Sequence, residues 1–278
     1  MNADDFETLA AVLRKRSGLS LTEDKSYLLE SRLMPVVRRR RYAGLPELVA
    51  DIRTKSDESL LTEVTEVMTT NESFFFRDNR PFDQFREVVL PKLKESRASK
   101  KRIRIWSAAC SSGQEPYSLA ILIKEMGFEF AGWNIEIVAT DISEEILAKA
   151  RTGIYSQFEV QRGLPIQLLM KYFTQVEMGW ELDESIRSMV QYRYFNLLES
   201  MSALGVFDVV YCRNVLIYFD QPTKSDVLSR IRNQMSEDGV LYLGGAETVL
   251  GICEDFKPVP GQRGMYGIVS NVAQRAVG

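Results

Sequence analysis

The residues best suited to chemistry cluster in Arg104-Ile105-Trp106-Ser107-Ala108-Ala109-Cys110-Ser111-Ser112-Gly113-Gln114-Glu115-Pro116-Tyr117-Ser118. Ala108 to Gly113 carry almost no side chain, so a ligand can lie against bare backbone there. Two acids flank this crease, Glu115 just beyond it and Asp141 at the end of the next apolar run, Ile135 to Thr140. The crease has a single glycine, Gly113, where a dinucleotide fingerprint would have three. A pyrophosphate would be repelled by Glu115, whereas an ammonium or sulfonium centre would be attracted. An acid at the position of Asp141 suits ribose hydroxyls. S-adenosylmethionine carries an adenosine, an α-amino group and a cationic sulfur, and fits this pattern better than a dinucleotide. Plainer readings stand beside these: Asp141 as a helix cap before Ser143-Glu144, and Glu115 as an acid in a helix's first turn.

What is missing is equally informative. The chain has no histidine, which removes Ser-His and Cys-His catalysis. Its three cysteines, Cys110, Cys212 and Cys253, are dispersed, which argues against a disulfide framework and suits small core fillers. No metal site is expected.

These residues need a scaffold that brings strand ends together. Ile103 to Trp106, Ile135 to Asp141, Phe207 to Asn214 and Val240 to Gly245 read as buried strands, alternating with helices that begin at Pro116, Ser143 and Pro222, the last running to Gly239. That rhythm predicts an α/β fold with a mostly parallel sheet and ligands at the strands' carboxyl ends. Phe256–Val259 and Met265–Val269 suit a closing hairpin. Residues 151–195 break the rhythm and read as an inserted antiparallel β subdomain. Residues 1 to about 70 contain four helical patterns and no strand: one capped by Asp4-Asp5 and stopped at Gly18, one from Thr22 to the run Arg38-Arg39-Arg40-Arg41, one from Leu45-Pro46, and one around Leu60 to Met68.

The chain has 278 residues, a hydrophobic share of 45% and a net charge of -3. No apolar run approaches the roughly 20 residues of a membrane span, and Met1 to Asp5 lack a signal-peptide core. A soluble cytoplasmic protein without direct membrane insertion, and a monomer, is expected.

Several of these motifs resemble, in order, those of the chemotaxis receptor methyltransferases, the CheR family: Thr69-Thr70-Asn71 through Phe75-Phe76-Arg77, Trp106 through Ser118, Ala139-Thr140-Asp141-Ile142, Ala150 through Tyr155, and Cys212-Arg213-Asn214-Val215-Leu216-Ile217-Tyr218-Phe219. The resemblance covers nearly the whole chain. It implies a Rossmann-like S-adenosylmethionine-dependent methyltransferase with an N-terminal helical receptor-docking domain (residues 1–75), a methyltransferase domain (76–278) and a small antiparallel β insert at about 155–195. It implies methyl transfer to glutamate side chains of chemoreceptor cytoplasmic helices, with S-adenosylhomocysteine as product. It further implies that Asn71, Ser73 and Arg77 edge the cofactor, with Arg77 near its methionyl end. Glu115 would face the amino group and Asp141 the ribose; Asn196 and Leu197 would lie by the adenine or ribose, and Arg213 and Asn214 by the methionine portion. Tyr218 would stand close to the reacting methyl, so Arg77 and Tyr218 carry the catalytic expectation.

Two departures from the family pattern matter. Ser73 stands where threonine is frequent and keeps the hydroxyl. Gly244-Gly245-Ala246-Glu247 stands where many members have Gly-His-Ser-Glu, so that histidine cannot be essential here. Plainer alternatives stand beside these roles: a surface ion pair for Arg77 and plain core for Tyr218, while Phe74-Phe75-Phe76 reads as packing between domains. The Arg38–Arg41 run reads either as a solvated helix end or as a docking face for an acidic helix. In some family members the β insert binds a receptor's C-terminal peptide; the compact stretch from Phe173 to Arg187 argues against that here. A nucleic-acid methyltransferase is disfavoured by the absence of an Asn/Asp-Pro-Pro-aromatic turn at Cys212–Val215 and by the net charge, so no nucleic-acid partner is expected. A dehydrogenase is disfavoured by the missing glycine fingerprint. A cofactor-binding regulator without activity is separable only by assay.

Overall fold

The computed structural model describes residues 1–55 and 57–269. The chain divides into two compact units: residues 1–70 with 218–223, and residues 71–217 with 224–278. The division falls at Thr70/Asn71 rather than after residue 75, and the short stretch Tyr218–Thr223 groups with the first unit.

The first unit is helical: Ala3–Ser17, Ser26–Arg39, Leu45–Thr54 and Glu58–Met68. Leu9, Leu13, Leu29, Leu33, Val36, Leu48, Val49 and Val64 recur at helical spacing and are fully buried against one another. The first helix is capped one turn earlier than its acids suggest: the Asn2 side chain accepts the Asp5 N–H. It ends where Gly18, at φ 77, turns its N–H back to the Arg14 carbonyl. Asp57 caps the fourth helix through the Ser59 and Leu60 N–H groups.

Among the described residues the second unit has ten strands: β1 (Arg102–Ala108), β2 (Asn134–Asp141), β3 (Ile154–Tyr155), β4 (Phe173–Val176), β5 (Gly179–Leu182), β6 (Val190–Tyr194), β7 (Phe207–Cys212), β8 (Met235–Leu243), β9 (Phe256–Pro258) and β10 (Met265–Ile268). Seven form one sheet in the order β6-β2-β1-β7-β8-β10-β9. The first five are parallel, and β10 and β9 close the edge antiparallel. The chain winds outward from β1 through β2 to β6, then returns to β7 on the other side, so the order reverses between β1 and β7. That reversal opens a crevice beyond the strands' carboxyl ends. Ala108 is opposite Thr140 on one side and Cys212 on the other, so the crease, Asp141 and Arg213 leave the sheet at one level.

Three expectations are corrected here. The insert is smaller than 155–195: its sheet is β3-β5-β4, and Val190–Tyr194 pairs in parallel with β2 as the edge of the main sheet. The helix after Pro222 ends at Asn233, and Gly239 lies inside β8, where the β7–β8 register shifts. Phe75 and Phe76, expected to pack between domains, belong to the core of the second unit. Phe75 meets Tyr155 and Phe173 edge-on and Phe76 meets Phe82, all in the core of the second unit. Phe74 is half-buried beneath the guanidinium groups of Arg77 and Arg162.

Candidate cofactor and active site

The crease is held open by backbone geometry that its side chains tolerate poorly. Ala109 at φ 60, Ser111 at φ 52 and Gly113 at φ 92 are all left-handed. Such conformations at non-glycine residues cost on the order of 1–3 kcal/mol each and persist where the surroundings over-determine them. The Cys110 N–H donates to the Thr140 carbonyl at 2.9 Å and the Ser111 N–H to Asp141 Oδ2 at 2.8 Å. Tyr155 donates to the Ser112 carbonyl at 2.8 Å and Tyr117 to the Ala150 carbonyl at 2.9 Å. At Gly113 a Cβ would come within 2.5 Å of the Tyr192 hydroxyl, which explains the one glycine of the turn.

Asp141 ends β2 with its carboxylate buried. Its second oxygen accepts the Ser143 N–H at 3.1 Å. Burial pushes its pKa up, and the N–H groups of Ser143, Ser111 and Ile142 pull against that. The capping reading holds, and it does not exhaust the carboxylate: these backbone N–H groups leave it acceptor capacity for a ligand hydroxyl. The Phe195 N–H donates to the Asp141 carbonyl at 2.9 Å, bringing Asn196 and the buried Leu197 beside the same strand end.

Glu115 is not a free acid. Oε1 accepts from Ser107 Oγ at 2.8 Å, and Oε2 from Arg213 Nη1 at 2.9 Å. The Arg213 side chain is 1% exposed, and its other terminal nitrogen donates to the Arg77 carbonyl at 2.9 Å and to Asp78 at 2.6 Å. Arg213 therefore ties the helix start to the segment carrying Arg77. That segment is itself strained, with Phe76, Asp78 and Asn79 at positive φ, and the Phe76 N–H is held by Ser118 Oγ at 2.9 Å. The Arg77 side chain turns back to the Glu72 carbonyl at 2.9 Å.

Hydrogen bonds thus join Glu115, Arg213 and the backbone of Arg77, and separately Asp141, the crease and the approach to Asn196. Asn214 follows Arg213 at φ 60. Asn71 and Ser73 are half-buried at the start of the same unit. Tyr218 groups with the helical unit, where its carbonyl accepts the Ser20 N–H at 2.9 Å. In that unit Arg39 and Arg40 bond Glu63, and Arg40 also reaches Asp57 and Ser59, whereas Arg38 and Arg41 are exposed with no ion pair among the described residues. The sequence assigns no individual role to Asp78, Ser107, Ser118 or Glu247; the one signal for Ser107 is a hydroxyl inside an otherwise apolar strand.

The residues fit S-adenosylmethionine. Two carboxylates, Glu115 and Asp78, meet the buried Arg213 guanidinium, and Asp141 adds a third acid at the end of the neighbouring strand pair, which leaves an excess of negative charge for a cationic ligand. Among the described residues, Ser111 Oγ and Arg213 Nε are buried polar atoms without a protein partner.

Comparison with known proteins agrees. The sequence profile of the CheR methyltransferase SAM-binding domain matches residues 71–265, and that of the CheR all-alpha domain matches residues 4–69. The chain is 40% identical over 259 residues to chemotaxis protein methyltransferase Cher2 of Pseudomonas putida, covering 92% of this chain and 94% of that one. It is 41% identical over 261 residues to chemotaxis protein methyltransferase 1 of Pseudomonas aeruginosa, with the same coverage, 92% and 94%. The chain belongs to the CheR methyltransferase family, and S-adenosylmethionine is its methyl donor.

Proposed function

We propose that the protein methylates glutamate side-chain carboxylates on the cytoplasmic helices of chemoreceptors, giving methyl esters and S-adenosylhomocysteine during chemosensory adaptation. It would act as a monomer in the cytoplasm, with the helical unit docking the receptor. The names of its relatives, chemotaxis protein methyltransferases, support that setting. Among the described residues no helix is long and apolar enough to cross a membrane.

The observation that carries the reading is the buried Glu115–Arg213 pair at the reversal of the sheet, with Asp141 leaving the neighbouring strand at the same level. S-adenosylmethionine supplies an electrophilic methyl on a sulfonium centre. Asp141 holds the ribose hydroxyls through its remaining lone pairs, and Asn196 and Leu197 flank the adenosine. Glu115, fixed by Ser107 and Arg213, receives the amino group. Asn71, Ser73, Arg77 and Asn214 complete the cofactor's contacts. The acceptor glutamate has an ordinary pKa near 4.3 and is already ionised at neutral pH, so no general base is needed. A chain without histidine is chemically adequate for that task. What remains for Arg77 and Tyr218 is orientation of the acceptor oxygen for in-line attack, from which much of the rate derives.

Incubation with methyl-labelled donor and a receptor cytoplasmic fragment tests this. Label should enter the fragment and be released by alkali as methanol, as an ester requires, and Arg77→Ala and Tyr218→Phe should slow its entry. Alkali-stable label, or none, would overturn the glutamate assignment.

A further inference from the structure

The loop that leaves β7 carries Arg213 and Asn214, yet it has left the sheet and lost the partners a strand would give its N–H groups. One side chain supplies them. Glu247 Oε2 accepts the N–H of Asn214 at 2.7 Å and of Gly244 at 2.7 Å. Its Oε1 accepts the N–H of Val215 at 2.9 Å and of Ile217 at 3.3 Å. A single carboxylate thus binds four backbone donors and staples the loop after β7 to the end of β8. Asn214 is held at φ 60, a conformation it would leave without support. Gly244 faces the staple so closely that a Cβ there would lie 2.7 Å from both Asn214 Nδ2 and Glu247 Oε2.

We infer that Glu247 is a positioning residue for methyl transfer. It fixes the backbone of Asn214, and with it the donor-contacting edge of the site and the start of the turn that leads to Tyr218. The inference rests on the methyl-transfer reading, because it needs Asn214 to meet the donor. Glu247 is not itself a base: its lone pairs are spent on N–H groups. A charged acceptor is required, since an amide in its place would aim an NH2 at two of the four N–H groups.

The test uses the full chain and three variants, Glu247→Gln, Glu247→Asp and Gly244→Ala, measured by calorimetry with S-adenosylhomocysteine, by steady-state methylation of a receptor fragment, and by thermal unfolding. Glu247→Gln should bind S-adenosylhomocysteine about tenfold or more weaker and lower kcat, with KM for the receptor fragment unchanged. Glu247→Asp, one methylene short but charged, should recover part of the affinity. Gly244→Ala leaves the carboxylate in place but presses on it, and should reproduce the Gln phenotype even if Glu247→Gln folds poorly. A staple that served only stability would lower the unfolding midpoint and leave affinity and kcat of the folded variants at wild-type values; that result overturns the inference. Wild-type protein that binds no S-adenosylhomocysteine would instead overturn the methyl-transfer reading beneath it.

Discussion

Asp141 has one structural task and one proposed one. It satisfies the Ser111 and Ser143 N–H groups, which shapes the crease, and in the proposed function its remaining acceptor capacity would meet a ribose. Removing it should cost both: Asp141→Ala should weaken S-adenosylhomocysteine binding by about ten- to a hundredfold in calorimetry, the scale of one or two charge-assisted hydrogen bonds. Its titration adds a second check. Burial raises its pKa above the ordinary 3.8. A carboxyl group raised on folding contributes stability that is full below the unfolded value and lost as pH rises through the folded one. In the free protein at neutral pH the ionised form is therefore held at a cost, and a ligand that bonds to it recovers part of that cost. Affinity should fall on acidification in a window above pH 3.8, and Asp141→Asn should remove that component of the pH profile; an unchanged profile would reassign the ribose contact. The position of this acid was readable from a strand pattern ending in Asp. The pairing of Glu115 was not: Arg213 lies far along the chain, and only the parallel register of β1 with β7 brings it near.

At the scale of the element, the strand-to-helix turn between β1 and the helix Gln114–Glu125 is the part whose geometry is most tightly determined. Its strain at Ala109 and Ser111 is offset by bonds from β2 and by the tyrosines around Gly113. Gly113→Ala combines a left-handed φ with a Cβ 2.5 Å from the Tyr192 hydroxyl. It should cost about 1–3 kcal/mol in urea unfolding and shift the start of the helix that carries Glu115, so that donor affinity falls as well. A variant with wild-type stability and affinity would mean the turn is softer than its hydrogen bonds suggest. Apolar periodicity made this turn, both flanking strands and the four N-terminal helices legible in advance. It failed at Val190–Tyr194, because an edge strand alternating Val190, Gln191, Tyr192, Arg193 and Tyr194 has the same period as the hairpin strands of the insert it follows. Which sheet such a strand joins is decided by pairing with β2, a long-range fact that no local window contains.

The whole molecule assigns its arginines unequally, and this separates docking from folding. Arg39 and Arg40 are engaged by Glu63, and Arg40 also by Asp57 and Ser59, so half of the basic run is used inside the helical unit. Arg38 and Arg41 remain exposed with no ion pair among the described residues, and in the proposed docking they are the charges that an acidic receptor helix would meet. The run was visible in the sequence, but its division was not, because the neutralising acids come from the fourth helix. Arg38→Glu with Arg41→Glu should raise KM for a receptor fragment about tenfold, make that KM less sensitive to salt, and leave S-adenosylhomocysteine affinity unchanged. Arg40→Ala should show the opposite pattern, a loss of about 1 kcal/mol of stability with a small change in KM, since its pairs with Glu63 and Asp57 are only partly buried. If the double charge reversal left KM and its salt dependence at wild-type values, the receptor would have to be recognised by another face, and the run would be no more than a solvated helix end.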